Sequence, residues 1–272
     1  MDARLMGYLE AMGITVFVRR DLASAEPAGS VPRSPDTDAA DPGDALVDDV
    51  RDAPPPRGSP APETGPVVST AAGPDACDVP RDLSGMDWEA LRTRVTHCQA
   101  CALHQGRTHT VFGVGSPQAD LMVIGEAPGA EEDRRGEPFV GRAGQLLTAM
   151  LAAIGLAREQ VYIANILKCR PPGNRNPAPA EAACCRPFLD RQIALVQPRV
   201  ILSVGGVSAH NLLGTEEAVG RLRGTVHHYH DVAGTGDSVP VVVSYHPAYL
   251  LRKPREKAKA WQDLLRVRGM LD

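Results

Sequence analysis

The 272-residue sequence has no run of apolar residues long enough to cross a bilayer, which takes about 18 to 20 residues. Its beginning also lacks the pattern of a secretory signal, because Glu10 interrupts the only apolar stretch and no small-residue cleavage site follows. Neither a membrane-spanning nor an exported protein is therefore expected. We predict a cytoplasmic protein, without a membrane partner and monomeric.

The glycine motifs of nucleotide-binding enzymes are missing as well. The segment 125–129, Gly-Glu-Ala-Pro-Gly, has the small residues of a phosphate-binding loop. It lacks the Lys-Ser/Thr of a P-loop and the glycine spacing of a dinucleotide-binding turn. This loop therefore does not have the pattern of either class.

An overall excess of positive charge, which would favour nucleic acid as a partner, is also lacking, since the formal net charge is −4. The acidic excess belongs to residues 1–80, with 6 Lys/Arg against 14 Asp/Glu. Residues 81–272 carry 23 Lys/Arg against 19 Asp/Glu. A mildly basic part of the chain permits a DNA-binding face without establishing one.

Composition divides the chain into three parts. Residues 22–80 hold 12 of the 24 prolines amid Ala, Gly, Ser and Asp, which is typical of a disordered linker. Residues 1–21 form a short apolar unit before it. We interpret that unit as a docking segment for a replication or repair protein, the alternative being a segment that folds back or has no role. Residues 81–272 are predicted to form the folded domain.

Short apolar runs alternate with helical patterns from residue 81 onward. Strands are predicted at 121–124, 161–164, 200–204 and 241–243, and helices at 144–155, 180–196, 207–213 and 256–267, with Asp87 capping a further helix. Continuous apolar strands between helices indicate a sheet covered on both faces. We predict an α/β fold of three layers, α/β/α, around a central, mostly parallel, four-stranded sheet, with the ligand site at the carboxyl ends of its strands.

Six cysteines require an explanation in a reducing compartment, where disulfides are rare. Cys98 and Cys101 form a C-x2-C pair, and Cys169 and Cys185 form a second pair. Four thiolates favour a metal site, and spacing alone leaves zinc and iron–sulfur open. His97, His104 and His109 are alternative ligands, but four cysteines already complete the set.

Three further groups of cysteines and histidines each need a separate interpretation. Cys184 and Cys185 point about 100° apart on a helix, so only one of them is expected to ligate. Cys77 lies in the predicted linker and is expected to be a free thiol. His227, His228 and His230 resemble a metal-binding tract, but on a strand they alternate faces, so a partly exposed edge strand is favoured.

Polar and aromatic side chains follow the predicted strands. They include an aromatic ring at Phe139, an amide at Asn165 and an imidazole at His246, with carboxylates at Glu126 and Glu132. Each residue alone is typical of a turn, a cap or the core. Together they provide a stacking face, a donor and an acceptor, which suit a flat polar base.

Four segments, 125–147, 165–175, 185–189 and 246–252, together resemble family 4 uracil-DNA glycosylases. The resemblance covers about residues 84–270 and not residues 1–80. It implies an enzyme that flips uracil out of DNA and hydrolyses its N-glycosidic bond, leaving an abasic site at the start of base excision repair. It also implies a [4Fe-4S] cluster on Cys98, Cys101, Cys169 and Cys185, and therefore selects Cys185 over Cys184. The DNA substrate would place the enzyme at the nucleoid.

The resemblance also implies a role for each residue of the uracil pocket. Phe139 would stack on the flipped base, and Asn165 would bond its Watson–Crick edge and reject cytosine. Glu132 would leave no room for the methyl group of thymine. His246 would donate to uracil O2 and stabilise the departing anion. Backbone amides around Ala127 would help to bind the base.

Further positions match the family's motifs outside the base pocket. Glu126 and Asn174 would position the site or the attacking water. Leu250, Leu251 and Arg252 would enter the gap that the flipped nucleotide leaves. Ala127 stands where better-known uracil glycosylases have an aspartate, so a dissociative reaction that depends on leaving-group stabilisation is predicted.

Two other functions are compatible with the same residues. One is a zinc-stabilised α/β enzyme that acts on a free nucleotide or base. The other is a DNA-damage binding module without catalysis. A related cluster-bearing family forms a covalent bond to uracil through a histidine in a Lys-Arg-Arg-Ile-His insertion. That insertion is absent here, so normal turnover is expected.

Overall fold

The computed structural model describes residues 77, 79–80, 82–230 and 238–272. The predicted docking segment 1–21 and nearly all of the predicted linker 22–80 lie outside the described residues. None of the helices that the structure describes has the length and apolar character needed to cross a membrane.

A six-stranded mixed sheet forms the centre of the described part of the chain. Its strands are β1 (Val114–Gly115), β2 (Leu121–Gly125), β3 (Tyr162–Asn165), β4 (Val200–Val204), β5 (Val226–His230) and β6 (Ser238–Ser244). The order across the sheet is β1-β3-β2-β4-β6-β5. The four inner strands pair in parallel, and β1 and β5 add antiparallel edges. The predicted α/β fold is confirmed, with two more strands than expected.

Eight α-helices lie around this sheet in the described ranges. They are α1 (Trp88–Thr96), α2 (Ala130–Arg135), α3 (Arg142–Ala153), α4 (Pro179–Val196), α5 (Gly206–Leu213), α6 (Val219–Leu222), α7 (Pro247–Arg252) and α8 (Lys257–Leu271), with short 3-10 turns at Ala102–Gln105, Arg158–Gln160, Pro172–Asn174 and Pro254–Glu256. The predicted cap of α1 is present, because the Asp87 carboxylate accepts a bond of 2.9 Å from the Ala90 N–H.

Alternating residues of the inner strands supply two separate apolar clusters. Leu121 and Val123 of β2 pack with α3 and α8, for example with Leu147 and Leu264. Met122 and Ile124 pack on the other face with α4 and α5. Because both faces of β2 are buried, its sequence is continuously apolar and does not alternate. The three-layer arrangement follows from this burial.

A third apolar cluster lies between α1 and α4 and includes the cysteines. Leu91, Val95 and Phe188 pack there beside Cys169 and Cys185. The cluster ties the loop after β3 to both helices, and so it fixes the surroundings of the four predicted metal ligands.

The described end of the predicted linker packs against the same cluster. Val79 is buried in it, and Cys77 forms a disulfide with Cys184. The expectation of a free thiol at Cys77 is therefore wrong. The cause is the helical spacing of Cys184 and Cys185, which turns Cys184 away from its neighbour and towards the 77–80 segment.

The three histidines near residue 228 lie on β5, at the edge of the sheet. His228 and His230 are exposed, and Tyr229 between them is buried. The interpretation as a partly exposed edge strand is confirmed.

Candidate active site

One crevice opens at the carboxyl ends of β2, β3 and β6, where a parallel sheet presents its loops. It brings together eight of the residues that the sequence singled out, namely Glu126, Ala127, Glu132, Phe139, Asn165, Asn174, His246 and Arg252. Residues that sequence reasoning did not assign also line it, among them Arg175 and Tyr249. The segments that supply these side chains lie far apart in the sequence, so the sheet topology assembles the crevice.

The ring of Phe139 forms one wall of the crevice and is held by close backbone contacts. Its φ of 54° is unusual for a residue with a side chain. A Cβ atom at Gly144 would lie 1.7 Å from the Phe139 carbonyl oxygen, and one at Gly125 would lie 2.6 Å from the ring. Both positions therefore require glycine. The Phe139 and His246 ring centroids are 5.6 Å apart.

Glu132 holds the loop that carries Phe139. One carboxylate oxygen accepts hydrogen bonds from the N–H groups of Val140 and Gly141, at 2.9 and 3.0 Å. The other accepts a bond of 3.1 Å from the Gly129 N–H at the start of α2. Sequence reasoning missed this role, although a glutamate three residues after a helix start is a recognisable capping signal.

The side-chain amide of Asn165 faces the crevice with an unused donor. Asn165 ends β3 and is 2% exposed. Its Nδ2 atom is buried and has no hydrogen-bond partner among the residues that the structure describes. Because a buried amide donor without a partner is costly, a carbonyl oxygen of a ligand is the expected partner.

His246 lies in the crevice as a neutral imidazole. Burial, and next the charge of Arg252, lowers the pKa of His246 to about 4, and the Glu132 carboxylate only partly opposes this. Its Nδ1 atom accepts a bond of 3.1 Å from the Ala248 N–H at the start of α7. We assign the ring proton to Nε2 from this bond, which leaves Nε2–H as the free donor.

Glu126 and Asn174 complete the polar lining. Burial raises the pKa of Glu126, so its carboxylate is less acidic than an exposed one. Asn174 is held by Arg170, whose Nε donates to its Oδ1 at 2.7 Å. Both residues therefore present polar groups to the crevice from different loops.

The three residues predicted to enter DNA lie on α7, but on different faces of it. Leu251 and Arg252 are exposed, and Arg252 also lines the crevice. Leu250 is fully buried and packs in the cluster around α3 and α8. The prediction for Leu250 does not fit this placement, because a side chain in the core has no access to the DNA. Helical periodicity turns Leu250 inward and its neighbour outward.

A second cavity lies within the third apolar cluster. It is lined by the four predicted metal ligands, Cys98, Cys101, Cys169 and Cys185. In the described part of the chain no three candidate ligands converge closely enough to hold a single metal ion. The four cysteines nevertheless share one cavity, and thiolates are the ligands that both zinc and iron–sulfur clusters take.

Hydrogen-bond donors already point at two of these sulfur atoms. An Arg107 N–H donates to Cys169 Sγ at 3.1 Å, and the Lys168 N–H donates to Cys185 Sγ at 3.4 Å. Burial raises the pKa of Cys169, and it raises the pKa of Cys185 to about 12. A bound metal would favour the thiolate forms, because its positive charge lowers the pKa of a coordinating thiol.

Comparison with known proteins gives consistent matches. A model of the Uracil DNA glycosylase superfamily matches residues 112–265. The Type-4 uracil-DNA glycosylase of Archaeoglobus fulgidus is 44% identical over 177 residues, covering 64% of this chain and 87% of the relative. That of Pyrobaculum aerophilum is 41% identical over 183 residues, covering 66% and 92%. That of Thermotoga maritima is 42% identical over 165 residues, covering 60% and 83%.

Proposed function

This chain belongs to the Uracil DNA glycosylase superfamily, and on that premise we propose that the crevice around Phe139, Asn165 and His246 is where it releases uracil. The enzyme is a DNA glycosylase that excises uracil in DNA repair, and the relatives it resembles are named Type-4 uracil-DNA glycosylases. The observation that carries the assignment of the crevice is the buried, unpartnered Nδ2 atom of Asn165.

Recognition begins when the uracil leaves the base stack, because its glycosidic bond is inaccessible inside a duplex. The base then stacks on Phe139. Asn165 donates from Nδ2 to O4 and accepts from N3–H. Cytosine presents the opposite pattern on this edge, because it has an amine donor where uracil has O4. The amine of cytosine and the Nδ2 donor of Asn165 would then face each other without an acceptor.

The bond to the sugar breaks as negative charge moves onto the uracil. His246 donates from Nε2 to O2 and stabilises that charge, a contribution that in enzymes of this kind amounts to about 3 kcal/mol. A neutral imidazole suits this task because the donor is in place before the charge develops. Glu132 acts by holding the Phe139 loop, and its carboxylate lies beside the base as a barrier to thymine.

Water attacks the sugar after or while the uracil departs. Ala127 stands at the position where an aspartate would activate water, so we assign the water-positioning role to Glu126 and Asn174. The raised pKa of Glu126 makes its carboxylate a better proton acceptor than an exposed one. Backbone amides around Ala127 bind the base.

Cys98, Cys101, Cys169 and Cys185 would hold a [4Fe-4S] cluster. This assignment is supported by their common cavity and by the two hydrogen-bond donors at their sulfurs. When bound, the cluster supplies iron–thiolate bonds that join α4 and the loop after β3 to the end of α1. Its role in this proposal is structural.

The DNA backbone and the emptied base position are engaged by α7. Leu251 and Arg252 are the exposed residues that would fill the gap in the stack. Because its substrate is DNA, we place the enzyme in the cytoplasm at the nucleoid. Residues 1–21 would dock a replication or repair protein, and the catalytic domain would act as a monomer.

An oligonucleotide with one deoxyuridine tests the function. The holoenzyme is expected to release free uracil and leave an alkali-labile site. Matched oligonucleotides with deoxycytidine or thymidine at the same position are expected to stay intact. A protein that binds the uracil oligonucleotide but releases no base would contradict the proposal and favour a damage-binding module.

Two single substitutions separate the roles inside the crevice. His246→Ala is expected to lower the single-turnover rate of uracil release by a hundredfold or more, about 3 kcal/mol in the barrier. Glu126→Ala is expected to cost less, because leaving-group stabilisation dominates a dissociative reaction. If His246→Ala lowered this rate by less than about tenfold, the contribution to catalysis assigned to the imidazole would be wrong.

A further inference from the structure

Tyr249 is an aromatic residue of the crevice to which neither the uracil pocket nor the DNA-entering residues give a role. It lies in α7, lines the crevice and is half-buried. Its N–H donates to the His246 carbonyl oxygen at 2.9 Å. The ring therefore stands about one helical turn beyond the residue that would bind uracil O2.

A second aromatic ring supports the ring of Tyr249. The centroids of the Tyr245 and Tyr249 rings are 5.0 Å apart, and their planes are inclined by 35°. The guanidinium of Arg223 lies over Tyr245, 5.3 Å from the centroid of its ring. These three planar side chains form one contiguous group, and Tyr249 is the member that lines the crevice.

A buried ion pair fixes the inner end of this group. The Asp263 carboxylate is fully buried and accepts two bonds from Arg223, one from Nε at 3.1 Å and one from Nη2 at 2.9 Å. It also accepts a bond of 2.9 Å from the hydroxyl of Ser244, which ends β6 and directly precedes Tyr245. Tyr249 therefore packs on a neighbour that is already held in place, and a ligand would not have to order that support.

The place of Tyr249 along α7 indicates what its ring contacts. His246 precedes it by three residues and would bind the uracil in the pocket, whereas Arg252 follows it by three residues and would enter the gap in the DNA. Residues three apart are neighbours on a helix surface, and all three of these residues line the crevice. Tyr249 therefore lies between the flipped base and the DNA stack, where the strand leads to the next nucleotide.

The chain after α7 places positive charge beside this ring. Lys253 and Arg255 follow α7 and are exposed. Such side chains bind the phosphates of a DNA strand without reading its sequence. An aromatic face next to cations is the combination that binds unpaired nucleotides.

We propose that Tyr249 is a stacking platform for a base that adjoins the flipped uracil on the same DNA strand. That base lies flat on the ring, and Tyr245 with the Arg223–Asp263 pair holds the ring in position. Every base has such a face, so the contact adds affinity without selecting a sequence. This inference rests on the proposed function of the crevice and adds a contact outside the uracil pocket.

The test measures binding to a single-stranded oligonucleotide that contains one 2′-fluoro-2′-deoxyuridine. The fluorine destabilises positive charge on the sugar, so the holoprotein binds this probe without cleaving it. Matched probes lack the base on the 5′ side or on the 3′ side of the uracil, and a control probe lacks a base near the end of the strand. Fluorescence anisotropy gives the affinities of the wild type, Tyr249→Leu and Tyr249→Phe.

Tyr249→Leu keeps an apolar side chain but removes the flat ring, so it is expected to weaken binding of the intact probe about tenfold. Tyr249→Phe is the matched control, because it keeps the ring and should bind as the wild type does. Removing one of the two adjoining bases should weaken wild-type binding by a similar factor. The same removal should leave the affinity of Tyr249→Leu unchanged, because both changes delete one contact. Removing the distant base should not distinguish the proteins.

A loss of affinity in Tyr249→Leu that is equal on all probes would overturn the inference, because the ring would then act through protein packing or on a sugar. An equal loss in Tyr249→Phe and Tyr249→Leu would also refute it, since the hydroxyl group and not the face would make the contact. If Tyr249→Leu does not fold, the wild type decides. With 5-iododeoxycytidine on either side of the uracil analogue, ultraviolet light must cross-link one of these bases to Tyr249, and the absence of both cross-links refutes the contact.

Failure of this inference is distinct from failure of the proposed function. Release of uracil from ordinary deoxyuridine tests the function, whereas the fluorinated probes measure binding alone. A wild type that releases uracil but binds all probes equally refutes only the role of Tyr249. A wild type that releases no uracil refutes the function and leaves the comparison of affinities valid.

Discussion

At the scale of single residues, His246 determines how the reaction responds to pH. Its pKa is lowered to about 4 by burial, so the imidazole stays neutral well below the ordinary value of 6.5. We expect His246 to give the rate of uracil release no titration step near 6.5, and to lower the rate only as the pH approaches 4, where protonation of Nδ1 breaks its bond to Ala248. A pH–rate profile under single-turnover conditions measures this.

The same group affects stability in a defined direction. Because the folded-state pKa is lower than the unfolded one, the unfolded chain binds the proton first as the pH falls below 6.5. The contribution of His246 to stability is therefore complete above 6.5 and is lost between 6.5 and about 4. A rate step centred near 6.5 would mean that a charged imidazole takes part in the reaction.

The specificity of the crevice depends on one donor atom. Asn165→Asp replaces the Nδ2 donor with an acceptor that faces uracil O4. We expect the rate of uracil release to fall about a hundredfold, from the loss of a buried hydrogen bond and the repulsion that replaces it. The ratio of the rates for cytosine and uracil should rise.

Asn211→Asp is the matched control for this change. Asn211 lies on α5, and its amide donates to Val207, away from the crevice. The Asn211→Asp variant should release uracil at a rate close to that of the wild type. If Asn165→Asp kept full activity on uracil, the amide would not be the group that reads the base.

At the scale of elements, the contact between α3 and the Phe139 loop is the most sensitive feature. Gly144→Ala would place a Cβ atom 1.7 Å from the Phe139 carbonyl oxygen, so the loop must move. We expect a fall in the uracil-release rate of at least about tenfold, because the stacking ring loses its position. Thermal stability should also decrease.

Gly269→Ala serves as the control, because Gly269 lies in α8 and a Cβ atom there meets nothing within 4 Å. Alanine favours a helix, so this variant should be as stable as the wild type or slightly more stable. Equal behaviour of the two alanine variants would contradict the close packing of α3 against Phe139.

At the scale of the whole molecule, the disulfide between Cys77 and Cys184 spans 107 positions of the chain. A link of this length restricts the unfolded chain and is worth about 3 to 5 kcal/mol. We expect a reducing agent, or Cys77→Ser, to lower the thermal midpoint of the oxidised protein by about 5 to 15 °C.

A reducing agent should have no further effect on Cys77→Ser, which is the control. The count of reactive thiols in the denatured protein should differ by two between the oxidised and reduced wild type. A midpoint that is the same with and without reductant would contradict a role of the bond in stability.

Much of the fold was predictable because its information is local. The short, largely apolar runs of β2 and β4 are typical of strands buried on both faces, and their alternation with helical patterns predicts the parallel centre. The two-residue strand β1 and the mostly exposed β5 have no such signal. The extra edges of the sheet depend on pairing partners that no short window contains.

The candidate site also has features that were predictable from the sequence and features that were not. Motif spacing placed Phe139, Asn165 and His246 at or after the ends of strands, in segments that the sheet then brings into one crevice. The burial of Leu250 and the pairing of Cys77 with Cys184 depend on tertiary packing, which is why both expectations were wrong. Lys168, three residues after the end of β3, is buried, and its partners, the Asn165 carbonyl oxygen and Gln192, appear only in the folded molecule.

Asn165 and Cys169 stand on one short stretch of chain, with only three residues between them. An insertion of one residue there would move either the amide out of the crevice or the thiol out of its cavity, whatever the inserted side chain is. The length of this stretch is therefore constrained independently of which residues occupy it. Substitutions inside the stretch can be compensated by neighbours, whereas a change in its length cannot.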